Sequence, residues 1–211
     1  MTETKGVPAP GSGPRVRPEG PVPPGGTIGI LGGGQLGRML ALAAARLGLR
    51  THVYDPAADP PAAHVAAAHT QAPYDDAEAL LRFAWTVDVV TFEFENVPAR
   101  TATALEANAR VRPCPRALAV AQDRAEEKAF LNGLGIATAP WAAVEGGGDL
   151  AAALSATGAP AVLKTRRFGY DGKGQSRVAD ADALGAAWEE IGRAPAVLEG
   201  HVAFESEISV I

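Results

Sequence analysis

Two hydrophobic periodicities alternate along this chain. Thr27-Ile28-Gly29-Ile30-Leu31 is an apolar run of strand length that leads into Gly32-Gly33-Gly34-Gln35-Leu36-Gly37. Leu36, Met39, Leu40, Ala43 and Leu47 then recur at the spacing of one helical face, and Gly48 closes the pattern. Leu49 to Asp55 reads as a second strand, so the opening is a βαβ unit. Residues 56–73 are rich in Pro and Ala and predict a loop with one helical turn and a short strand near Thr70. Asp75-Asp76 caps a predicted helix that buries Leu80, Leu81, Ala84 and Trp85. Asp88 to Phe92 is a further buried strand, Pro98 to Ala107 a helix, and Val111 to Pro113 a short strand. Pro115 restarts a helix, and a longer one is predicted from Leu118 to Leu131, ended by Gly133 and Gly135.

A second unit is expected from about residue 137. Gly146-Gly147-Gly148 precedes a helix from Asp149 to Thr157, and Ala161-Val162-Leu163 is a buried strand that delivers Lys164 to its end. Gln175 to Val178 returns as a strand. Asp180 caps a helix with Leu184, Trp188 and Ile191 inward, and Ala196 to Glu199 is the last complete strand. In residues 205–211 the alternation sets Ile208 and Val210 against Glu205, Glu207 and Ser209, as in a strand, so the chain is expected to stop inside an element and to be truncated. Residues 1–26, rich in Pro and Gly, lack the apolar side chains that would offset ordering entropy and predict a disordered leader.

Composition narrows the function classes. The 211 residues are 47% hydrophobic and 20% charged with a net charge of −5, which is globular and argues against a dedicated nucleic-acid binder. Cys114 is the single cysteine, which excludes an intramolecular disulfide and a Cys-rich metal site and fits a reducing compartment. No apolar run has the length of a membrane span and no signal-peptide core follows Met1, so a cytoplasmic, soluble protein is expected. His52, His64, His69 and His201 fall in no metal-ligand spacing.

Three stretches carry candidate chemistry. The segment from Lys164 to Gln175 holds Gly169, Gly172 and Gly174 with Lys164, Arg166, Arg167 and Lys173. Such a hairpin suits a lid over nucleotide phosphates, or else is an ordinary solvated hairpin. Gly32-x-Gly34-x-x-Gly37, with Asp55 downstream, fits a dinucleotide fingerprint and equally a helix N-terminus set near some other phosphate. Glu93, Glu95 and Asn96 follow a strand where open α/β sheets bind ligands, and strand alternation would put Glu93 and Glu95 on one face. The charges of 122–128 read as a solvated helix face, and Trp141 as core packing.

Taken in order, Gly33-Gly34-Gln35-Leu36-Gly37-Arg38-Met39, Thr91-Phe92-Glu93-Phe94-Glu95-Asn96-Val97, Gln122-Asp123-Arg124 with Glu127-Lys128, and Lys164 through Gln175 resemble the ATP-grasp superfamily. More narrowly, they resemble its 5-(carboxyamino)imidazole ribonucleotide synthases. The resemblance implies an α/β fold: a doubly wound, Rossmann-like pre-ATP-grasp domain over residues 27–136, the small α+β lid subdomain of an incomplete ATP-grasp domain over 137–203, and the start of its C-terminal subdomain over 204–211. It implies an ATP-dependent C–N ligase that joins bicarbonate to the amine of 5-aminoimidazole ribonucleotide through carboxyphosphate, in purine biosynthesis, with Mg²⁺ and as a homodimer. Carried over, Arg124 and Lys164 contact ATP phosphates beneath a lid of Gly169, Tyr170, Asp171, Gly172, Lys173, Gly174 and Gln175. Glu199, Gly200, His201 and Val202 hold adenine and Glu207 the ribose. Gln35, Leu36, Glu93 and Asn96 hold the ribonucleotide, and Tyr170, Asp171 and Lys164 are catalytic. The family's metal ligands are expected beyond Ile211, so this chain by itself is expected to be inactive. A formate-dependent glycinamide ribonucleotide transformylase, a biotin carboxylase, a NAD-binding Rossmann oxidoreductase and a non-catalytic nucleotide-binding fragment are the alternatives.

Overall fold

The computed structural model describes residues 20–169 and 172–209. The chain divides between Leu118 and Ala119 into two compact units.

In the first unit β1 (Thr27–Leu31), β2 (Arg50–Asp55), β3 (Ala68–Gln71) and β4 (Val89–Phe92) form a parallel sheet in the order β3-β2-β1-β4. Strand alternation sends Leu31 and Tyr54 to one face and Ile30 and Val53 to the other. The first face packs on Phe83, Val87, Leu105 and Leu118. The second packs on Ala41 and Ala62. A sheet buried on both faces favours near-continuous apolar strands, which is the pattern of β1 and β4. Strand order reverses between β1 and β4, where Leu31 lies in register with Phe92. The residues just beyond both strands, Gly32 and Glu93, are thereby brought to the switch point where such sheets bind ligands.

The helix α1 (Gln35–Arg46) corrects an expectation. It buries Gly37, Ala41 and Ala44, while Leu36, Met39, Leu40 and Leu47 are exposed. Both sets have helical spacing, and the small set wins because it lets the helix axis approach the sheet closely. In α2 (Ala77–Thr86), Asp76 accepts from the Ala79 N–H at 2.9 Å as expected of a cap, but Phe83 takes the core position assigned to Leu81 and Trp85, which are half-buried. The unit is completed by α3 (Ala99–Glu106) and the start of α4 (Pro115–Ala121). The long helix expected over 118–131 is broken: α5 (Arg124–Gly133) starts anew because the Asp123 carboxylate accepts from the Ala125 N–H at 3.0 Å.

The second unit is an antiparallel sheet of β5 (Trp141–Val144), β6 (Ala161–Thr165), β7 (Gln175–Val178) and β8 (Ala196–Gly200), in the order β5-β8-β6-β7. Ala161, Leu163, Val178, Ala196 and Leu198 pack with α6 (Leu150–Thr157) and α7 (Leu184–Glu190) through Leu154, Leu184 and Trp188. By alternation and register, Val162, Lys164, Gln175, Arg177, Val197 and Glu199 share the other face. The strand expected over 205–211 is not formed at 201–209, since no described strand supplies its hydrogen bonds; residues 210–211 lie outside the described residues.

Candidate functional site

At the switch point of the first unit the glycine loop binds an internal anion. Glu93 Oε1 accepts from the Gly34 N–H at 2.9 Å and Glu93 Oε2 from the Gly37 N–H at 2.6 Å. A Cβ on Gly37 would lie 2.9 Å from Glu93 Oε2 and 2.8 Å from the Gly32 carbonyl, so glycine there is a requirement of close approach. Asp55 also turns back on the loop, accepting from the Gly33 N–H at 2.7 Å and from Ala57 N–H at 2.7 Å. The Tyr74 phenol donates to Asp55 at 3.4 Å; burial and the Asp55 and Glu93 carboxylates hold its pKa well above the ordinary value.

The residues that suggested a dinucleotide site are thus engaged within the protein: Gly34 and Gly37 with Glu93, Gly32 with the Tyr54 carbonyl, and Asp55 with the Gly33 N–H. A carboxylate occupies the N–H groups a pyrophosphate would need, and Asp55 is engaged with the loop. The main-chain N–H groups of Gln35 and Leu36 make no hydrogen bond among the described residues. Because β4 ends at Phe92, alternation does not order the acids that follow: Glu93 is half-buried and Glu95 exposed, with Asn96 half-buried.

In the second unit, the first limb of the hairpin is tied to the start of α5. Arg124 Nη1 donates to the Thr165 carbonyl at 2.7 Å and Nη2 to the Gly169 carbonyl at 2.9 Å. The Arg124 N–H bonds the Arg166 carbonyl at 3.0 Å. Asp123, 4% exposed, accepts from Arg166 Nε at 2.9 Å and Arg167 Nε at 3.3 Å, and Glu145 also pairs with Arg166. Burial pushes the Asp123 carboxyl up, but the Arg166 and Ala125 hydrogen bonds and the charge of Arg166 outweigh it and hold its pKa below the usual value. Arg166 and Arg167 therefore brace the hairpin against a buried carboxylate. This narrows the expected phosphate-neutralising set.

Lys164 and Glu199 meet on the face not covered by α6 and α7. Lys164 Nζ lies 2.9 Å from Glu199 Oε2, and Lys128 Nζ lies 3.2 Å from Glu199 Oε1. Sequence reasoning had placed Lys128 on a solvated face. Its spacing of four from Arg124, which puts the two on one side of α5, was the available signal. A cavity of about 540 Å³, within the range of small-molecule sites, is lined by Val162, Lys164, Gly172, Gln175, Ser176, Arg177 and Glu190.

At the far end of the hairpin, Gly174 has φ +68°, and a Cβ there would lie 2.6 Å from Thr165 Oγ1. Beyond β8 the Gly200 N–H bonds the Pro140 carbonyl at 2.8 Å and the His201 N–H the Pro160 carbonyl at 2.9 Å. His201, Val202 and Glu207 are exposed. Tyr170 and Asp171 lie outside the described residues. Among the described residues no group of three or more His, Cys, Asp or Glu is placed to hold a metal ion, and no helix is long and apolar enough to cross a membrane.

Comparison with known proteins accounts for both units. A ribonucleotide synthetase preATP-grasp domain matches residues 26–122, and an ATP-grasp domain matches residues 129–211. The N5-carboxyaminoimidazole ribonucleotide synthase of Brucella melitensis is 55% identical over 190 residues, covering 89% of this chain and 52% of that protein. The solved ADP complex of an N5-carboxyaminoimidazole ribonucleotide synthetase matches with a TM-score of 0.81 at 40% identity, over 87% of this chain and 49% of that one. The synthase of Aspergillus clavatus, solved with ADP and 5-aminoimidazole ribonucleotide, matches with a TM-score of 0.75 at 30% identity, over 86% and 48%. The chain spans about half the length of these relatives. In both units the chain is similar, over about half of their length, to the N5-carboxyaminoimidazole ribonucleotide synthases of the ATP-grasp proteins.

Proposed function

We propose that the protein carboxylates 5-aminoimidazole ribonucleotide with bicarbonate, cleaving ATP to ADP and phosphate. The observation that carries this reading is the Lys164–Glu199 pair on the uncovered sheet face, beside a glycine-rich hairpin and a cavity of nucleotide size. A relative solved with ADP and 5-aminoimidazole ribonucleotide supports the choice of both substrates.

Glu199 accepts from the adenine amine in this reading. With the Gly200 and His201 N–H groups already bonded to Pro140 and Pro160, Val202 supplies the main-chain donor of this segment to the ring. Glu207 takes the ribose hydroxyls. Lys164 neutralises the phosphates, joined by N–H groups of Arg124 beyond the two that hold Thr165 and Gly169. Gly169 to Gln175 closes over them. Gln35 and Leu36 hold the ribonucleotide at the N-terminus of α1, with Asn96 nearby in sequence to Glu93, whose carboxylate keeps the loop in shape.

Bicarbonate is a poor electrophile until phosphorylated, and carboxyphosphate is labile in water. Catalysis is therefore positioning, charge neutralisation and exclusion of water. Tyr170 and Asp171 complete the proposal, with Asp171 orienting the attacking amine. Mg²⁺, which the family resemblance implies, finds no ligand set among the described residues, and no step is derived through it. The proposal includes a cytoplasmic homodimer, its mass to be read by light scattering.

The test is phosphate release by the full-length protein with ATP, Mg²⁺ and bicarbonate, with and without 5-aminoimidazole ribonucleotide. Release that requires the ribonucleotide is the expected result. Release indifferent to it, or none, overturns the reading.

A further inference from the structure

We propose that Lys128 is a positioning residue for ATP binding: it keeps Glu199 neutralised when Lys164 leaves that carboxylate for the nucleotide phosphates. The inference rests on the ATP reading above. The Glu199 side chain is 12% exposed, and a carboxylate that far from water requires a counterion. It has two, one on each oxygen: Lys128 at 3.2 Å and Lys164 at 2.9 Å. One is enough for charge balance, and the triad carries a surplus positive charge.

The two lysines are not equivalent. Lys164 has 27% of its side chain exposed and lines the cavity beside the hairpin. Lys128 has 13% exposed and reaches Glu199 from α5. Among the described residues neither lysine has another ion pair. Arg124, one turn before Lys128, fixes α5 to the hairpin through Thr165 and Gly169, so Lys128 is delivered from an anchored helix. If Lys164 were the only counterion, moving it to a phosphate would strand a buried carboxylate, and that cost would oppose ATP binding. With Lys128 in place, Glu199 stays paired and can still accept from the adenine amine.

The readout is the ratio of adenosine to ATP dissociation constants, measured by titration calorimetry on the full-length protein with Mg²⁺ present. This ratio isolates what the phosphates add. Lys128→Met leaves Lys164 paired with Glu199, so the variant should fold, but Lys164 is then retained by Glu199 and the ratio should fall about tenfold, the equivalent of about 1.4 kcal/mol. Lys128→Arg should keep the wild-type ratio. Glu199→Gln weakens adenosine and ATP together and frees Lys164, so adding Lys128→Met to it should leave the ratio unchanged. A folded Lys128→Met with the wild-type ratio overturns the assignment, as does a Lys128→Met that cannot fold. A fall in ratio on adding Lys128→Met to Glu199→Gln also overturns it, because Lys128 would then be touching the phosphates itself. A wild-type protein that binds no ATP overturns this inference and the ATP reading together, whereas the other outcomes leave that reading standing.

Discussion

His52 has both ring nitrogens 2.8 Å from threonine hydroxyls, Nδ1 from Thr86 and Nε2 from Thr70. The Thr86 hydroxyl donates to the Phe83 carbonyl at 2.7 Å, so it accepts from His52, which assigns the proton to Nδ1 and makes Nε2 the acceptor from Thr70. The residue is 8% exposed, and its ring meets Phe83 edge to face at 4.9 Å. Burial, and after it the neighbouring His69, lower its pKa from 6.5 to about 4. The unfolded chain therefore takes up a proton before the folded chain does. Stability falls as pH drops from about 6.5 to about 4, by at most about 1.4 kcal/mol per pH unit from this group. Urea midpoints between pH 7 and pH 4 should fall more steeply for the wild type than for His52→Gln; equal slopes would show that the ring does not couple folding to protons.

At the scale of elements, the knot between α5 and the hairpin depends on one carboxylate. Asp123 caps α5 and holds Arg166 and Arg167. Its side chain is 6% exposed, so Asp123→Ala removes a cap and takes a shared partner from Arg166 and Arg167, a loss of about 2–3 kcal/mol to be read by denaturant unfolding. A loss below 1 kcal/mol would mean that Glu145 alone suffices for Arg166. The break of the helix at Asp123 was not legible in apolar spacing, because a cap acts through a polar side chain on main-chain N–H groups. What was legible followed from local rules. The strands β1, β4, β6 and β8 announce themselves as short apolar runs, and Asp76 announces α2. The buried face of α1 was misread because Gly37, Ala41 and Ala44 carry little hydrophobic weight beside Leu36, Met39 and Leu40. At the site, the glycines of both loops stood out by spacing. The partner of the first loop did not, since Glu93 reaches Gly34 and Gly37 only through the β1–β4 adjacency. Lys128, Lys164 and Glu199 lie far apart in the chain, and only the β6–β8 register and the reach of α5 bring them together.

For the whole molecule, the proposed function divides the work between the two units. The first offers the loop held by Glu93, with the Gln35 and Leu36 N–H groups at its end. The second offers Lys164, Glu199 and the hairpin. Each unit has its own core, so ligand protection should map to separate stretches of sequence. In hydrogen exchange on the full-length protein, ATP should slow exchange in residues 164–175 and 199–207, and 5-aminoimidazole ribonucleotide in residues 32–40 and 91–97. Loop amides exchange through local opening, and a ligand that binds only the closed form suppresses it in proportion to its saturation. Ribonucleotide protection confined to the second unit would remove Gln35, Leu36 and Asn96 from the substrate site. Asp171→Asn separates binding from chemistry in the same experiment. Both protection patterns should persist, because the neutral side chain keeps the size of the original, while phosphate release that depends on the ribonucleotide should fall by at least about a hundredfold, the lower range for a lost proton-handling group. Turnover at the wild-type rate would deny Asp171 its role toward the amine, and loss of ATP protection would make it a nucleotide-binding residue instead.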